Sequence, residues 1–274
     1  MKILPKKSLG QNFLNNNEII KKIVELGKIS NESYIIEIGP GTGNLTKEIL
    51  KKKPKKYIAI EKDKQLYLNL KDKFKDDLEI LNEDVLKIDW KIFYNHKFTV
   101  FGNLPYNIST KILINWIRFE NLNKNFDKFI LMFQKEVADR VIAKVDTNKY
   151  GRLSILTQWK MEVKKIMDIN PENFFPKPKV ISSLLYLEPK NSYFELLNSK
   201  NLEKVTNIFF QNKRKIIKKP LNILFKDSKK ISENLNLDIK KRPQNLDFLT
   251  YLKISKITNF FRQLLYLPLY YLHF

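Results

Sequence analysis

Apolar residues recur along this chain in two rhythms. Between residues 17 and 26 they fall three and four apart (Ile19, Ile20, Ile23, Val24, Leu26) behind Asn17 and Glu18, which predicts an amphipathic helix with a polar opening. From residue 34 the spacing changes to short continuous runs: YIIEI (34–38), YIAI (57–60), LEILNED (78–84), FTVFGN (98–103) and KFILMFQKE (128–136). Helical stretches lie between them, including NLTKEILKKK (44–53) and a segment over roughly 108–118. Runs that are apolar on both faces and alternate with helices predict an α/β, doubly wound, mostly parallel sheet covered on both sides.

MEVKKIMDI (161–169) and VISSLLYLEP (180–189) flank a Pro- and Phe-rich loop and are expected to close that sheet as antiparallel strands. From about residue 190 the strand pattern stops and helical spacing takes over, including VTNIFFQNKRKIIKKPLNIL (205–224). The expected organisation is an α/β domain over 1–189 and a small all-α domain over 190–258. An apolar tail, NFFRQLLYLPLYYLHF (259–274), follows. It is Pro-broken and shorter than the span of about 20 residues a bilayer needs, and it is assigned no role.

Composition narrows the chemistry. Of 274 residues, 51 are Lys or Arg against 29 Asp or Glu, a formal net charge of +22. Lysine supplies 45 of the 51, so part of the excess reflects a Lys-rich composition. Charge this far from neutrality costs self-repulsion and suits a polyanionic partner such as nucleic acid. Cysteine is absent, which excludes disulfides, thiolate catalysis and Cys-ligated zinc. With only His96 and His273, no metal site is expected, and zinc-dependent base deamination drops out as well. The opening MKILPKKSLGQNFL lacks the apolar core of a signal peptide, and a cytoplasmic location is expected.

EIGPGTG (37–43) sits where the first apolar run hands over to a helix. Glycines 39, 41 and 43 let the backbone turn tightly and pass close to a ligand at the carboxyl end of a strand. Dinucleotide sites use G-x-G-x-x-G to bring pyrophosphate to a helix N-terminus. Here the spacing is G-x-G-x-G with Glu37 two residues ahead of Gly39, a pattern more typical of S-adenosylmethionine sites. Glu61 ends the second strand, 22 residues after Gly39, where a carboxylate can accept from both ribose hydroxyls. Asp84 ends the third, where a carboxylate can accept from an adenine amine, and Asn103 ends the fourth. Each alone reads as a solvated strand end, but four such signals at four successive strand ends favour a cofactor site.

FGNLPYNIST (101–110) then acquires a chemical meaning. The exocyclic amine of adenine is a poor nucleophile because its lone pair is delocalised into the ring. Two acceptors on its N–H groups favour a pyramidal nitrogen. The Asn103 side chain supplies one acceptor and the Leu104 carbonyl the other, while Pro105 holds Leu104 in extended geometry. Tyr106 offers a ring on which a base can stack, provided that base is unpaired or flipped from its helix. Neither a side-chain base nor a metal is needed, because the cofactor brings the electrophile.

Taken in order, QNFL (11–14), EIGPGTG, IEKD (60–63), NED, FGNLPYNIST, LMFQKEVADR (131–140), YGRLSIL (150–156) and FFPKPKVISS (174–183) resemble the KsgA-type ribosomal RNA adenine dimethyltransferases. The resemblance runs from about residue 6 to about residue 255. It implies a Rossmann-like methyltransferase sheet, S-adenosyl-L-methionine as cofactor, and a monomer acting on small-subunit rRNA within an immature small ribosomal subunit. The product would be N6,N6-dimethyladenosine at two adjacent adenosines near the 3′ end. Carried over by position, it implies that Asn12 and Leu14 close over the cofactor and that Gly39, Gly41, Glu61, Asp84 and Asn103 complete that site. Asn103, Leu104, Pro105 and Tyr106 would form the catalytic turn. Phe174 would stack on the face of the base opposite Tyr106, leaving Phe175 to core packing.

Erm-type large-subunit enzymes share the asparagine turn and the F-x-P-x-P-K-V element but not YGRLS, QKEVADR or RPQNL (242–246). The other readings are a non-catalytic RNA-binding assembly or transcription factor, and a DNA adenine methyltransferase. In QNKRKIIKK (211–219), Lys213, Arg214, Lys215, Lys218 and Lys219 are expected on a helix as an RNA-binding face, with Ile216 and Ile217 turned to the core. The competing reading is a solvated basic face.

Overall fold

The computed structural model describes residues 5–6, 9–93 and 95–266. The chain divides into two compact units, Met1–Asp139 with Met161–Asn191 and Arg140–Lys160 with Ser192–Phe274. In the first, strand β1 (Phe13–Leu14) precedes helix α1 (Asn17–Leu26). Strands and helices then alternate through β2 (Tyr34–Ile38), α2 (Asn44–Leu50), β3 (Lys56–Ile60), α3 (Lys64–Phe74) and β4 (Glu79–Leu81). They continue through β5 (Phe98–Asn103), α4 (Ser109–Ile117), α5 (Leu122–Asn125), β6 (Phe126–Gln134) and α6 (Lys135–Val141), followed later by β7 (Met161–Ile169), β8 (Phe174–Phe175) and β9 (Ser182–Pro189).

Seven of these strands form one sheet in the order β4-β3-β2-β5-β6-β9-β7. β2 to β6 pair in parallel, whereas β9 runs antiparallel to both β6 and β7. The expected doubly wound sheet with antiparallel closing strands is what the chain builds. Its central strands are mostly apolar because both faces are covered: Ile35, Ile36, Val100, Phe101, Phe129 and Ile130 are all buried. Local signals set the helix starts. The Asn16 side chain accepts from the Glu18 and Ile19 amides at the head of α1, and Asp63 accepts from the Gln65 amide at the head of α3. Strand order reverses between β2 and β5, so the loops after those two strands face a crevice at the sheet's carboxyl edge.

The second unit contains α7 (Arg152–Lys160), α8 (Ser199–Phe210), α9 (Lys218–Leu224), α10 (Ser228–Asn234) and α11 (Phe248–Tyr266). Tyr251 is fully buried, its hydroxyl donating to the Pro243 carbonyl at 2.7 Å and its ring edge-on to Phe209. Here three expectations need correction. Arg140–Lys160, read as part of the α/β domain, groups with the helices. The cause is α7, which buries almost every side chain and must be covered all round; Trp159 Nε1, for example, donates to the Phe194 carbonyl at 2.7 Å. The helix expected through 205–224 is two helices with a turn between them. Pro220 lacks an N–H and its ring would clash with the carbonyl four residues back, so it fits the first turn of α9 and cannot sit inside one continuous helix. Of the expected tail, residues 259–266 belong to α11, and residues 267–274 lie outside the described residues.

Candidate active site

The crevice at the β2–β5 switch is lined by the loops after β2, β3, β4 and β5 and by Leu9–Phe13. Gly39 follows β2 directly, its amide donating to the Ile60 carbonyl at 2.9 Å, which ties the ends of β2 and β3 together. At Gly41 the backbone has φ +60°, and a Cβ there would stand 2.7 Å from the Phe13 ring. The glycine is required twice over, by its left-handed conformation and by the ring lying on it. Gly41 also donates its amide to Glu61 Oε2 at 3.2 Å, while Glu61 Oε1 accepts from the Asp63 amide at 2.8 Å. Burial raises the Glu61 carboxyl above its ordinary value, against the pull of those two amide donors.

Asp84 reaches the same crevice from β4. Its carboxylate accepts from Lys62 Nζ at 2.9 Å and from the Leu86 amide at 3.0 Å. Burial pushes that group up, but the two donors outweigh it and hold the carboxyl below its usual range. Asn103 ends β5 and donates its Nδ2 to the Asn12 carbonyl at 2.5 Å, which leaves Oδ1 as the acceptor of the amide. Leu104 and Pro105 line the wall beside it. The Pro105 carbonyl accepts from the Ile108 and Ser109 amides, so the turn runs straight into α4. The Tyr106 hydroxyl bonds to Ser182 Oγ at 2.6 Å, which fixes the ring, and burial, partly offset by that bond, raises this phenol above its ordinary value so that it stays neutral.

Asn12, Gly39, Gly41, Glu61, Asp84, Asn103, Leu104, Pro105 and Tyr106 therefore meet in one crevice. Two expected residues stand elsewhere. Leu14 is buried in the core and touches the site's frame through its carbonyl, which accepts from Asn44 Nδ2 at 2.8 Å. Phe174 is 3% exposed and packs in the same core cluster, whereas Phe175 is 59% exposed. The expected core packing thus falls on Phe174 and not on Phe175. Glu37 also turns away from the crevice. It is buried and accepts from Thr46 Oγ1 at 2.7 Å and from the Tyr57 hydroxyl.

The structure adds residues that pattern reading passed over. Phe13 lies on Gly41. Asp63 is 4% exposed and takes Lys6 Nζ at 2.8 Å on one oxygen and Gln11 Nε2 at 2.9 Å on the other. That pairing clasps Lys6 and Gln11 to the β3–α3 loop. An acid at the second position after Glu61, capping α3, was the signal available for it.

In the helical unit, Lys213, Arg214 and Lys215 are exposed but lie in the turn after α8, not on a helix. Ile217 is fully buried while Ile216 is 45% exposed, so only one of the two expected core residues serves the core. The Ile217 amide donates to the Lys241 carbonyl at 2.8 Å, which pins the turn at that point.

The profile of the family described as Ribosomal RNA adenine dimethylase matches residues 4–260. A Ribosomal RNA small subunit methyltransferase A from Pelagibacter ubique (strain HTCC1062) is 51% identical over 256 residues, covering 93% of this chain and 97% of the relative. A protein of the same name from Ehrlichia ruminantium (strain Gardel) is 43% identical, covering 92% and 97%. The crystal structure of a dimethyladenosine transferase from Plasmodium falciparum superposes with a TM-score of 0.76 at 31% identity, covering 88% of this chain and 95% of that one. With the switch-point crevice and its asparagine turn in place, these likenesses settle the lineage: the chain belongs to the ribosomal RNA adenine dimethylase family.

Proposed function

We propose that this protein transfers methyl groups from S-adenosylmethionine to N6 of adenosines in small-subunit rRNA. The finer reading is two adjacent adenosines near the 3′ end, each dimethylated while the subunit is still immature. Membership of the family and the names of its relatives support the substrate class. The chemistry rests on one observation: Asn103 is held by Asn12 so that its remaining polar atom is an acceptor, in the crevice that also holds Glu61.

The charge of the lining favours a sulfonium cofactor over a dinucleotide. Glu61, Glu83 and Asp84 line the crevice, and among the described residues its one lining cation is Lys62, already paired to Asp84. A pyrophosphate would meet net negative charge, whereas a cofactor bearing a sulfonium and an ammonium would be attracted. In this reading Glu61 would accept from ribose hydroxyls and Asp84 from an adenine amine, with the apolar Ile60, Val85 and Leu66, which share the crevice, flanking an aromatic ring. When bound, the cofactor supplies an electrophilic methyl group.

The chain's own residues then act on the nucleophile. Asn103 Oδ1 and the Leu104 carbonyl accept the two N–H groups of the target amine, orienting its lone pair toward the cofactor side of the crevice. As nitrogen gains positive charge those two acceptors strengthen, so they stabilise the transition state more than the ground state. The Tyr106 ring, tethered through Ser182, gives the base a fixed surface to stack on. The proton that the methylated nitrogen must shed passes to solvent water, so no group of the protein needs to keep it.

Among the described residues no helix is long and apolar enough to cross a membrane. A cytoplasmic, monomeric enzyme meeting its rRNA through the helical unit is the corresponding cellular reading. The decisive experiment incubates the protein with labelled S-adenosylmethionine and immature small subunits, then looks by mass spectrometry for N6,N6-dimethyladenosine. Unmodified rRNA under those conditions, or calorimetric preference for NAD over S-adenosylmethionine, would sink the reading.

A further inference from the structure

Pairing of β1 with β8 sorts four side chains by face. Successive strand residues point to opposite sides, so the register partners Leu14 and Phe174 go to one side and Phe13 and Phe175 to the other. The first pair is buried in the core cluster. In the second pair, Phe13 lies on Gly41 in the crevice wall while Phe175 keeps 59% of its surface exposed.

The loop that Phe175 opens is tied to the crevice at both ends. At its start, Phe175 sits opposite Phe13. At its finish, Ser182 bonds to the Tyr106 hydroxyl at 2.6 Å. Between these anchors Lys177 and Lys179 are exposed, as is Val180. An open aromatic ring, two lysines spaced by one residue and a direct structural link to the base-presenting tyrosine occupy one short rim.

We propose that Phe175 is a stacking platform for an unpaired base of the substrate RNA adjacent to the target adenine, with Lys177 and Lys179 contacting the neighbouring phosphates. This rests on the reading of the crevice as an RNA adenine methylation site. A flipped target base leaves its neighbour partly unstacked, and a π face on the protein replaces the stacking that is lost. Charge complementarity selects RNA over an apolar protein partner, since two exposed lysines follow the ring within four residues, close enough in the chain to meet the phosphates next to a stacked base.

The test uses the full chain with labelled S-adenosylmethionine and immature small subunits, comparing wild type with Phe175→Ala, Phe175→Leu and Phe175→Trp. Loss of one stacked base is expected to raise KM for the subunit by roughly 5- to 150-fold in the Ala and Leu variants. Phe175→Trp should match or improve on wild type, and cofactor affinity should hold in all three. A Leu variant with wild-type KM would overturn the proposal, because any apolar side chain would then suffice, as would an Ala variant with unchanged KM. If the wild-type chain itself left the RNA unmethylated, the active-site reading would fail before any variant was compared, so the two failures are distinct.

Discussion

Asn103 Nδ2 donates to the Asn12 carbonyl across 2.5 Å, joining the end of β5 to a segment near the start of the chain. The bond uses the donor half of the amide and leaves the acceptor half for a substrate N–H. It also fastens Asn12 to the crevice floor. Gln11, next to it, is fastened through its Nε2 to Asp63 at 2.9 Å. The bond that orients the proposed acceptor and the bond that ties Gln11 to the β3–α3 loop thus come from neighbouring residues of one segment.

Asn103→Ala removes both the acceptor and the tether. Loss of one preorganised polar partner of a transition state typically costs 10²–10³ in rate, and kcat for methyl transfer should fall by about that much. The lost tether should weaken S-adenosylmethionine binding by a further ~1 kcal/mol. Single-turnover transfer and calorimetry separate the two effects. Transfer within a few-fold of wild type would refute the acceptor role.

Asp63→Asn keeps an N-cap for α3 and an acceptor for Gln11 but discharges the partner of Lys6. That lysine is half-exposed, so global stability should change by no more than ~1 kcal/mol. The local consequence is larger: amides of residues 9–13 should exchange faster and cofactor dissociation should speed up. The Asp63 carboxyl is pushed up by burial but held below its ordinary value by Lys6 and Gln11. Its stabilising effect is therefore present above the free-acid value and fades as pH falls through the depressed one. Hydrogen exchange that is unchanged in the variant would remove the clasp from the account.

Glu37 carries the opposite sign. Complete burial, partly offset by the hydroxyls of Tyr57 and Thr46, raises its carboxyl from an ordinary 4.5 to about 7. Between those values the folded chain keeps a proton that the unfolded chain has released. Stability should therefore fall as pH rises through that window, by ~3 kcal/mol in all. Glu37→Gln should flatten this part of the stability curve, as read by denaturant unfolding at several pH values. A wild-type curve with no decline that the variant removes would contradict it.

The two rings of FFPKP should separate cleanly by stability. Phe174→Ala empties a core position and should cost ~3–5 kcal/mol. Phe175→Ala alters an exposed ring and should stay within about 0.5 kcal/mol of wild type. Equal losses would mean that exposure is a poor guide to this loop.

What the sequence made legible was whatever depends on period and strand end. Glu61, Asp84 and Asn103 follow apolar runs that could only be buried parallel strands, so their convergence was implied once the sheet was. Phe13 on Gly41 was not, because it depends on β1 pairing with a two-residue strand far along the chain. Nor was the split between Phe174 and Phe175, since neighbouring aromatics give no clue to which faces the core until the register is known. The grouping of Arg140–Lys160 with the helices was not legible either, because this segment is covered by residues after 192. Pro220 was a visible signal against one continuous helix through 205–224, but not of where the break falls, since α8 already stops at Phe210 and Pro220 lies in the first turn of α9.

Lys213, Arg214 and Lys215 sit exposed in a turn bounded by Phe210 and the buried Ile217. Lys213 Nζ is 3.4 Å from the Asn148 carbonyl, a contact it can exchange for a phosphate oxygen. A turn suits phosphate contact as well as a helix does, because the charges fan outward and no face needs to be matched to a groove. Such contacts position RNA without reading its sequence, and each one lost should lower the log–log salt slope of binding by about 0.7–0.9. Lys213→Ala with Arg214→Ala should therefore weaken subunit binding, flatten that slope by between one and two units, and leave S-adenosylmethionine affinity unchanged. Titrating the subunit at several salt concentrations measures all but the last, which calorimetry supplies. A double variant with the wild-type slope would return this turn to a solvated surface with no part in holding RNA.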